Sequence, residues 1–156
     1  MIKVFGSAIH APEKNSSEAP DYFVEIPDLE LYTQAESLDD ALEMARDVIK
    51  LMFKEAGIKS FAVDWENKDA GSFSVRTSDI DGLLAFVMKR KRHEAGITLQ
   101  ELAKKMGFKS HNSVAAYEMA DRSPTVGKFA EIAEGLGYEL VISLQKKGKK
   151  SKKKAS

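Results

Sequence analysis

Three consecutive hydrogen-bonding side chains, His111, Asn112 and Ser113, open a short segment whose apolar residues recur at helical spacing, and Ala116 lies on the same side. Polar groups on the outer face of a helix, near its N-terminal end, are placed to reach base edges in the major groove of a duplex. Lys104, Lys109, Arg122 and Lys128 lie around them in sequence and are candidate phosphate anchors, although each would serve equally as solvated surface. A second set of ionisable residues, Glu25, Asp28, Glu30, Asp39, Asp40, Glu43 and Asp47, is acidic. Such carboxylates could be imagined as metal ligands, but solvated strand edges and an outer helix face explain them more simply. There is no cysteine, and His10, His93 and His111 are scattered, so no metal cluster is expected. No nucleophile, base and orienter stand at recognisable spacing, and no glycine-rich phosphate loop appears. The chain is therefore expected to be no enzyme and to need no cofactor.

The segments around Asn112 must position it. Thr98 is a good helix N-cap, and Glu101 three residues later completes a capping box. Leu102, Ala103 and Met106 form the inner stripe of that helix, and Gly107 ends it. Ser110 is read as the cap of the next helix, with Val114 and Tyr117 facing inward. Before the pair, Ile80–Ala95 reads as a helix capped by Ser78, its buried face being Ile80, Leu84, Val87 and Met88. After it, Thr125–Leu136 carries Val126, Phe129, Ile132, Ala133 and Leu136 inward and stops at Gly137.

From Ser78 to Gly137 the chain resembles the phage-repressor-like (XRE-type) helix-turn-helix family. The resemblance implies a bridge between an Arg late in the first helix and a Glu closing the recognition helix; Arg92 and Glu118 hold those positions. Two departures stand out. The turn Gly107–Ser110 is one residue longer than usual, which allows the recognition register to slip by one. Leu99 also stands where the family often places a phosphate-contacting Gln or Ser.

With 156 residues the chain can hold one ordinary domain or two small ones. Its net charge of zero hides a split: residues 1–77 hold 8 Lys/Arg against 15 Asp/Glu, and residues 78–156 hold 16 against 9. Seven of the second half's lysines lie in the tail 146–156, KKGKKSKKKAS, which reads as disordered. It is either a mobile phosphate-binding arm or a solubilising end. No apolar run approaches the roughly 20 residues that span a bilayer, and MIKVFGSAI lacks the features of a signal peptide, so a cytoplasmic protein is expected.

The first half reads as strands at Met1–His10, Tyr22–Ile26 and Leu31–Ala35, then a helix opened by Ser37. That helix has the inner stripe Leu38, Leu42, Ala45, Ile49, Met52 and Phe53 and stops at Gly57. Ile58–Trp65 and Phe73–Arg76 are further strand candidates. The expected fold is α+β: a small three-to-four-stranded sheet with one helix (residues 1–77), followed by an all-α helix-turn-helix unit (78–145) and the tail.

The run from Asp21 to Ile49 resembles the N-terminal domain of HicB antitoxins: a strand ending in Pro27-Asp28, the stretch Thr33-Gln34-Ala35, then an acidic-capped helix rich in Ala. The usual Pro-Gly-Cys after the turn is missing, replaced by Glu30-Leu31-Tyr32. Some members join this domain to a DNA-binding one. The resemblance implies a partial RNase H-like fold without catalysis that binds HicA, a small RNA-cleaving toxin. An acidic first half suits a basic partner of that kind, which makes the seven carboxylates the expected contact. The reading is thus an antitoxin that also represses its own operon by binding operator duplex DNA, as a homodimer and in toxin–antitoxin hetero-oligomers. The alternative is a stand-alone repressor whose first domain senses a ligand. Tyr138–Leu144 alternates apolar residues and is expected to pair as a strand with its twin, or else to cover its own domain.

Overall fold

Alternation of apolar and polar residues builds the first unit. The computed structural model describes residues 1–11 and 21–144; the tail 146–156 lies outside them. Five strands, β1 (Ile2–His10), β2 (Tyr22–Ile26), β3 (Leu31–Ala35), β4 (Phe61–Asn67) and β5 (Ser72–Thr77), form one antiparallel sheet in the order β3-β2-β1-β5-β4. The expected three-to-four strands become five because both late candidates pair, β5 at the sheet's interior and β4 at its edge. Val4, Ala8, Val24, Ile26, Leu31, Val63, Phe73 and Val75 share one face. Helix α1 (Leu38–Glu55) covers it with Ala41, Leu42, Ala45, Ile49 and Phe53, while Leu38 and Met52 pack at the margin. Ser37 caps α1 by accepting from the Asp40 amide.

Ile58 is not the first residue of β4. It belongs to the stop of α1, where its amide returns to the Phe53 carbonyl (2.8 Å) and its side chain joins the core. Gly71, in the β4–β5 turn, combines φ +64° with a position where a Cβ would stand 2.2 Å from the Ala8 carbonyl oxygen, so only glycine fits.

Four helices follow: α2 (Ile80–Glu94), α3 (Leu99–Lys105), α4 (Asn112–Glu118) and α5 (Val126–Leu136). Asp79, not Ser78, caps α2, accepting from the Gly82 amide at 2.9 Å. The buried face of α2 also differs from the expected stripe. Ile80 is exposed, Leu84 and Val87 are half-buried, and Leu83, Ala85 and Met88 are buried. The reason is that α2 serves two cores. Leu83, Phe86 and Val87 pack with the sheet and α1, whereas Met88 packs with Leu102, Ala103, Val114, Tyr117, Ile132 and Leu136. A single stripe cannot describe a helix whose neighbours change along its length. In α5, Ile132 and Leu136 are buried and Phe129 and Ala133 half-buried, but Val126 is exposed because the first turn projects past the small core.

Tyr138–Leu144 forms no strand in the single chain, and only Tyr138 and Leu140 of its apolar residues are half-buried. Val141, Ile142 and Leu144 stay 81%, 60% and 97% exposed. No helix among the described residues is long and apolar enough to cross a membrane.

Candidate nucleic-acid interface

Helices α3 and α4 are only seven residues each and too short to hold themselves; they bury Leu102, Ala103, Val114 and Tyr117 in a small shared core, and polar contacts fix their ends. At the start of α3 the capping box is complete. Thr98 Oγ1 accepts from the Glu101 amide (3.2 Å), and Glu101 Oε2 accepts from the Thr98 amide (2.8 Å) and hydroxyl (2.7 Å). Those two donors hold the Glu101 carboxyl below its usual pKa range. At the other end Gly107 takes φ +68°, and the Phe108 amide closes on the Ala103 carbonyl at 2.8 Å. Phe108 then folds back beside Tyr117.

The turn ends one residue later than Ser110 as cap would place it: α4 begins at Asn112 with His111 as N-cap. Ser110 still helps, since its hydroxyl oxygen accepts from the Asn112 amide at 3.2 Å. Val114 and Tyr117 are the buried residues of α4, as their spacing requires. His111 and Asn112 are exposed, and Ser113 and Ala116 are half-buried. At 100° per residue, Asn112, Ala115, Ala116 and Met119 point away from the Val114–Tyr117 face. Met119 is 65% exposed and was missed by sequence reading, although the same arithmetic would have found it.

Arg92 fixes the far end of α4. Its Nε and Nη2 donate to the two carboxylate oxygens of Glu118 at 2.6 and 2.8 Å, and its Nη1 donates to the Ile97 carbonyl at 2.9 Å. Both side chains are nearly buried, at 10% and 6% exposure. This is the bridge expected from the resemblance. Its fork geometry ties the last turn of α2, the α2–α3 corner and the end of α4 together. The hydrogen bonds that Arg92 donates to Glu118 also raise the Arg92 pKa.

The four candidate phosphate anchors are not equivalent. Lys104, Lys109 and Arg122 are exposed, Arg122 lying 5.5 Å from the Tyr117 ring centre. Lys128 is half-buried, near the Phe108 ring, and paired with Glu131.

The seven carboxylates of the first unit do not form one patch. Glu25 lies on the sheet face opposite α1 and accepts from the Ser7 hydroxyl (3.1 Å). Asp39, Glu43 and Asp47 follow one another at four-residue spacing along the exposed side of α1, with Asp39 paired to Lys68. Asp40 is spent on the helix start, accepting from the Glu36 amide (3.0 Å). Asp28 is exposed in the short 3-10 turn Pro27–Leu29 between β2 and β3. Glu30 is the clearest departure from the expected contact. It is half-buried with φ +48° and faces α2, its carboxylate 3.9 Å from Arg90 Nε and 3.7 Å from Lys91 Nζ.

Around Glu30 the structure assembles a cluster that sequence reading did not single out. Lys91 Nζ donates to Glu94 (2.8 Å) and lies 4.9 Å from the centre of the Tyr138 ring, whose hydroxyl donates to Glu94 at 2.5 Å. Those two donors hold Glu94 down to about 2, and the bond to Glu94 pushes Tyr138 up to about 12. Burial and the neighbouring Glu94 raise the carboxyl of Glu30, with Lys91 and Arg90 pulling the other way.

A family model described as helix-turn-helix matches residues 88–142, about a third of the chain, from the middle of α2 to the exposed C-terminal segment. No curated protein matches the chain. The matched part is a DNA-binding domain of the kind carried by transcriptional regulators. Its partner is double-stranded DNA.

Proposed function

We propose that the chain is the antitoxin of a two-protein toxin–antitoxin pair, acting in the cytoplasm. In this reading its first unit neutralises a HicA-like mRNA-cleaving toxin, and its second unit represses the operon that encodes both. The observation that carries it is the joining of two unlike surfaces in one chain. One is a helix-turn-helix with Asn112 presented outward; the other is an α+β unit with a carboxylate stripe, Asp39, Glu43 and Asp47, along its one long helix. A nuclease that grips RNA phosphates is basic at its working surface, and an acidic helix is suited to steer onto it and cover it. Operators with two-fold symmetry are read by dimers whose recognition helices stand roughly 34 Å apart. The exposed Val141, Ile142 and Leu144 suit a strand paired with a second copy.

The test uses the full chain and the short basic companion protein that this reading expects to be encoded beside it. Co-expression should rescue growth from that companion, and the purified chain should shift the duplex upstream of its own gene. Asn112→Ala should weaken the shift by roughly 1–3 kcal/mol, the worth of one base contact, while leaving the rescue intact. A companion that does not harm growth, or one the chain does not neutralise, would remove the antitoxin reading and leave a repressor.

A further inference from the structure

The connection between the two units is short and occupied. β5 ends at Thr77 and α2 begins at Ile80, so two residues join them. Thr77 is buried and bonded on both sides: its hydroxyl donates to the Ser60 carbonyl (2.6 Å) and accepts from the Asp79 amide (3.0 Å). Three consecutive cations then divide their work. Arg90 donates from Nε to the Leu29 carbonyl (3.1 Å) and from Nη2 to the Glu30 carbonyl (2.8 Å). Lys91 donates to the Pro27 carbonyl (2.9 Å) as well as to Glu94. Arg92 turns the other way, to Glu118 at the end of α4.

Carbonyls of the turn that precedes β3 are thus gripped by two adjacent residues of the helix whose next residue grips α4. Glu30 accepts a left-handed backbone, which a non-glycine residue adopts at a cost, and that conformation turns its carbonyl to Arg90. Tyr138, the residue that follows the stop of α5, is drawn into the same cluster through Glu94 and Lys91. A helix-turn-helix that only had to hang from the first unit would need none of these contacts, since domains in one chain ordinarily move relative to each other.

We propose that Arg90 and Lys91 are positioning residues: they latch the helix-turn-helix unit onto the Pro27–Glu30 turn, so that the first unit sets the orientation in which α4 meets duplex DNA. The latch itself is independent of the antitoxin reading; its consequence for DNA rests on α4 being the recognition helix. Whatever displaces the turn changes the presentation of α4, and by reciprocity DNA binding resists that displacement.

The chain has no cysteine, so spin labels can be placed at will through Asp69→Cys, in the β4–β5 turn, and Gln100→Cys, on the exposed side of α3. Distances between the labels, measured by pulsed electron spin resonance on the full chain, should give one narrow distribution. Arg90→Ala/Lys91→Ala should broaden or shift it while circular dichroism stays that of a folded protein. The conservative pair Arg90→Lys/Lys91→Arg should stay closer to the parent. The same variants are then titrated, without labels, against the upstream duplex. The alanine pair should lose about tenfold in affinity, with the conservative pair in between. An unchanged distance distribution in the alanine pair, or a broad one in the parent, overturns the latch. Altered distances with unchanged affinity overturn its role in orienting α4. If the parent does not bind the duplex at all, the operator reading fails, and with it the orienting role, while the distances still decide whether the latch exists.

Discussion

In the sheet unit, 17 buried residues among those described, from Val4 to Leu83, make one apolar layer between α1 and the sheet, with Phe53 wedged edge-on between Phe61 and Phe86. The helical unit has seven, from Met88 to Leu136. Its helices α3 and α4 are held in place by a capping box, a bidentate ion pair and a glycine stop. Area holds the first unit together, whereas the second adds directed polar contacts to a smaller apolar core. The difference suits the task. In the proposed reading α4 meets base edges, which needs a fixed direction more than stability, and a buried polar pair is suited to fixing direction.

The sharpest way to break this contrast is to delete from each core. Phe53→Ala leaves a cavity under α1 and should cost about 4 kcal/mol. Because α2 contributes Leu83 to one core and Met88 to the other, the loss should lower a single unfolding transition in urea, read by far-ultraviolet circular dichroism. Two resolved transitions would mean that the units unfold separately and that α2 does not join them. Arg92→Ala should cost about 3 kcal/mol, the low end for breaking a buried pair, since the two side chains keep a trace of water contact. Unlike the cavity, it should also weaken DNA binding, because Glu118 at the end of α4 loses its anchor. A variant as stable and as tightly bound as the parent would sink the claim that this pair directs the recognition helix.

How much of this could be read beforehand follows from the same contrast. The stripe of α1, the alternation in β1 to β3 and the box at Thr98–Glu101 are local patterns, and they stand as the sequence predicts. Arg92–Glu118 is not local, and it was found only because the resemblance marked both positions. What escaped is the junction. Arg90, Lys91 and Glu94 look like a solvated helix face, because nothing in their periodicity reveals that the Pro27–Glu30 turn stands opposite. The rotation of α2 from Leu84 to Leu83 has the same origin. The apolar alternation of Tyr138–Leu144 is real, but a strand needs a neighbour, and the described part of a single chain supplies none.

Caps sharpen the comparison at smaller cost. Thr98→Ala and Ser37→Ala each remove a hydroxyl that accepts a helix-start amide, and each should cost about 1 kcal/mol globally. The local result should differ. Helix α1 has 18 residues and a buried stripe, so only its first turn should fray; α3 has seven, and its first turn is most of it. Amide hydrogen exchange at Leu102 and Ala103 should therefore accelerate in Thr98→Ala, while Ala45 and Ile49 stay protected in Ser37→Ala. Equal protection in both variants would show that α3 is held by its packing alone.

The junction supplies the last test, through pH. Glu94 is held down to about 2 by Lys91 and Tyr138, against an unfolded value near 4.5. A carboxylate depressed on folding contributes stability that is complete above its unfolded pKa and disappears as pH falls through its folded one. The parent should therefore be more stable than Glu94→Gln at neutral pH. That gap should close between about pH 4.5 and pH 2, where the parent's Glu94 takes up its proton. Glu30 acts with the opposite sign: its raised pKa means that ionising it costs stability as pH rises, and more so in the parent, where Glu94 helps burial to raise it. Comparing urea midpoints of the two proteins across this range therefore reads Glu94 together with its coupling to Glu30. A gap that stays constant from neutral pH to pH 2 would mean that Glu94 acts by packing and not by charge, and that the contact between Tyr138 and α2 owes nothing to its carboxylate.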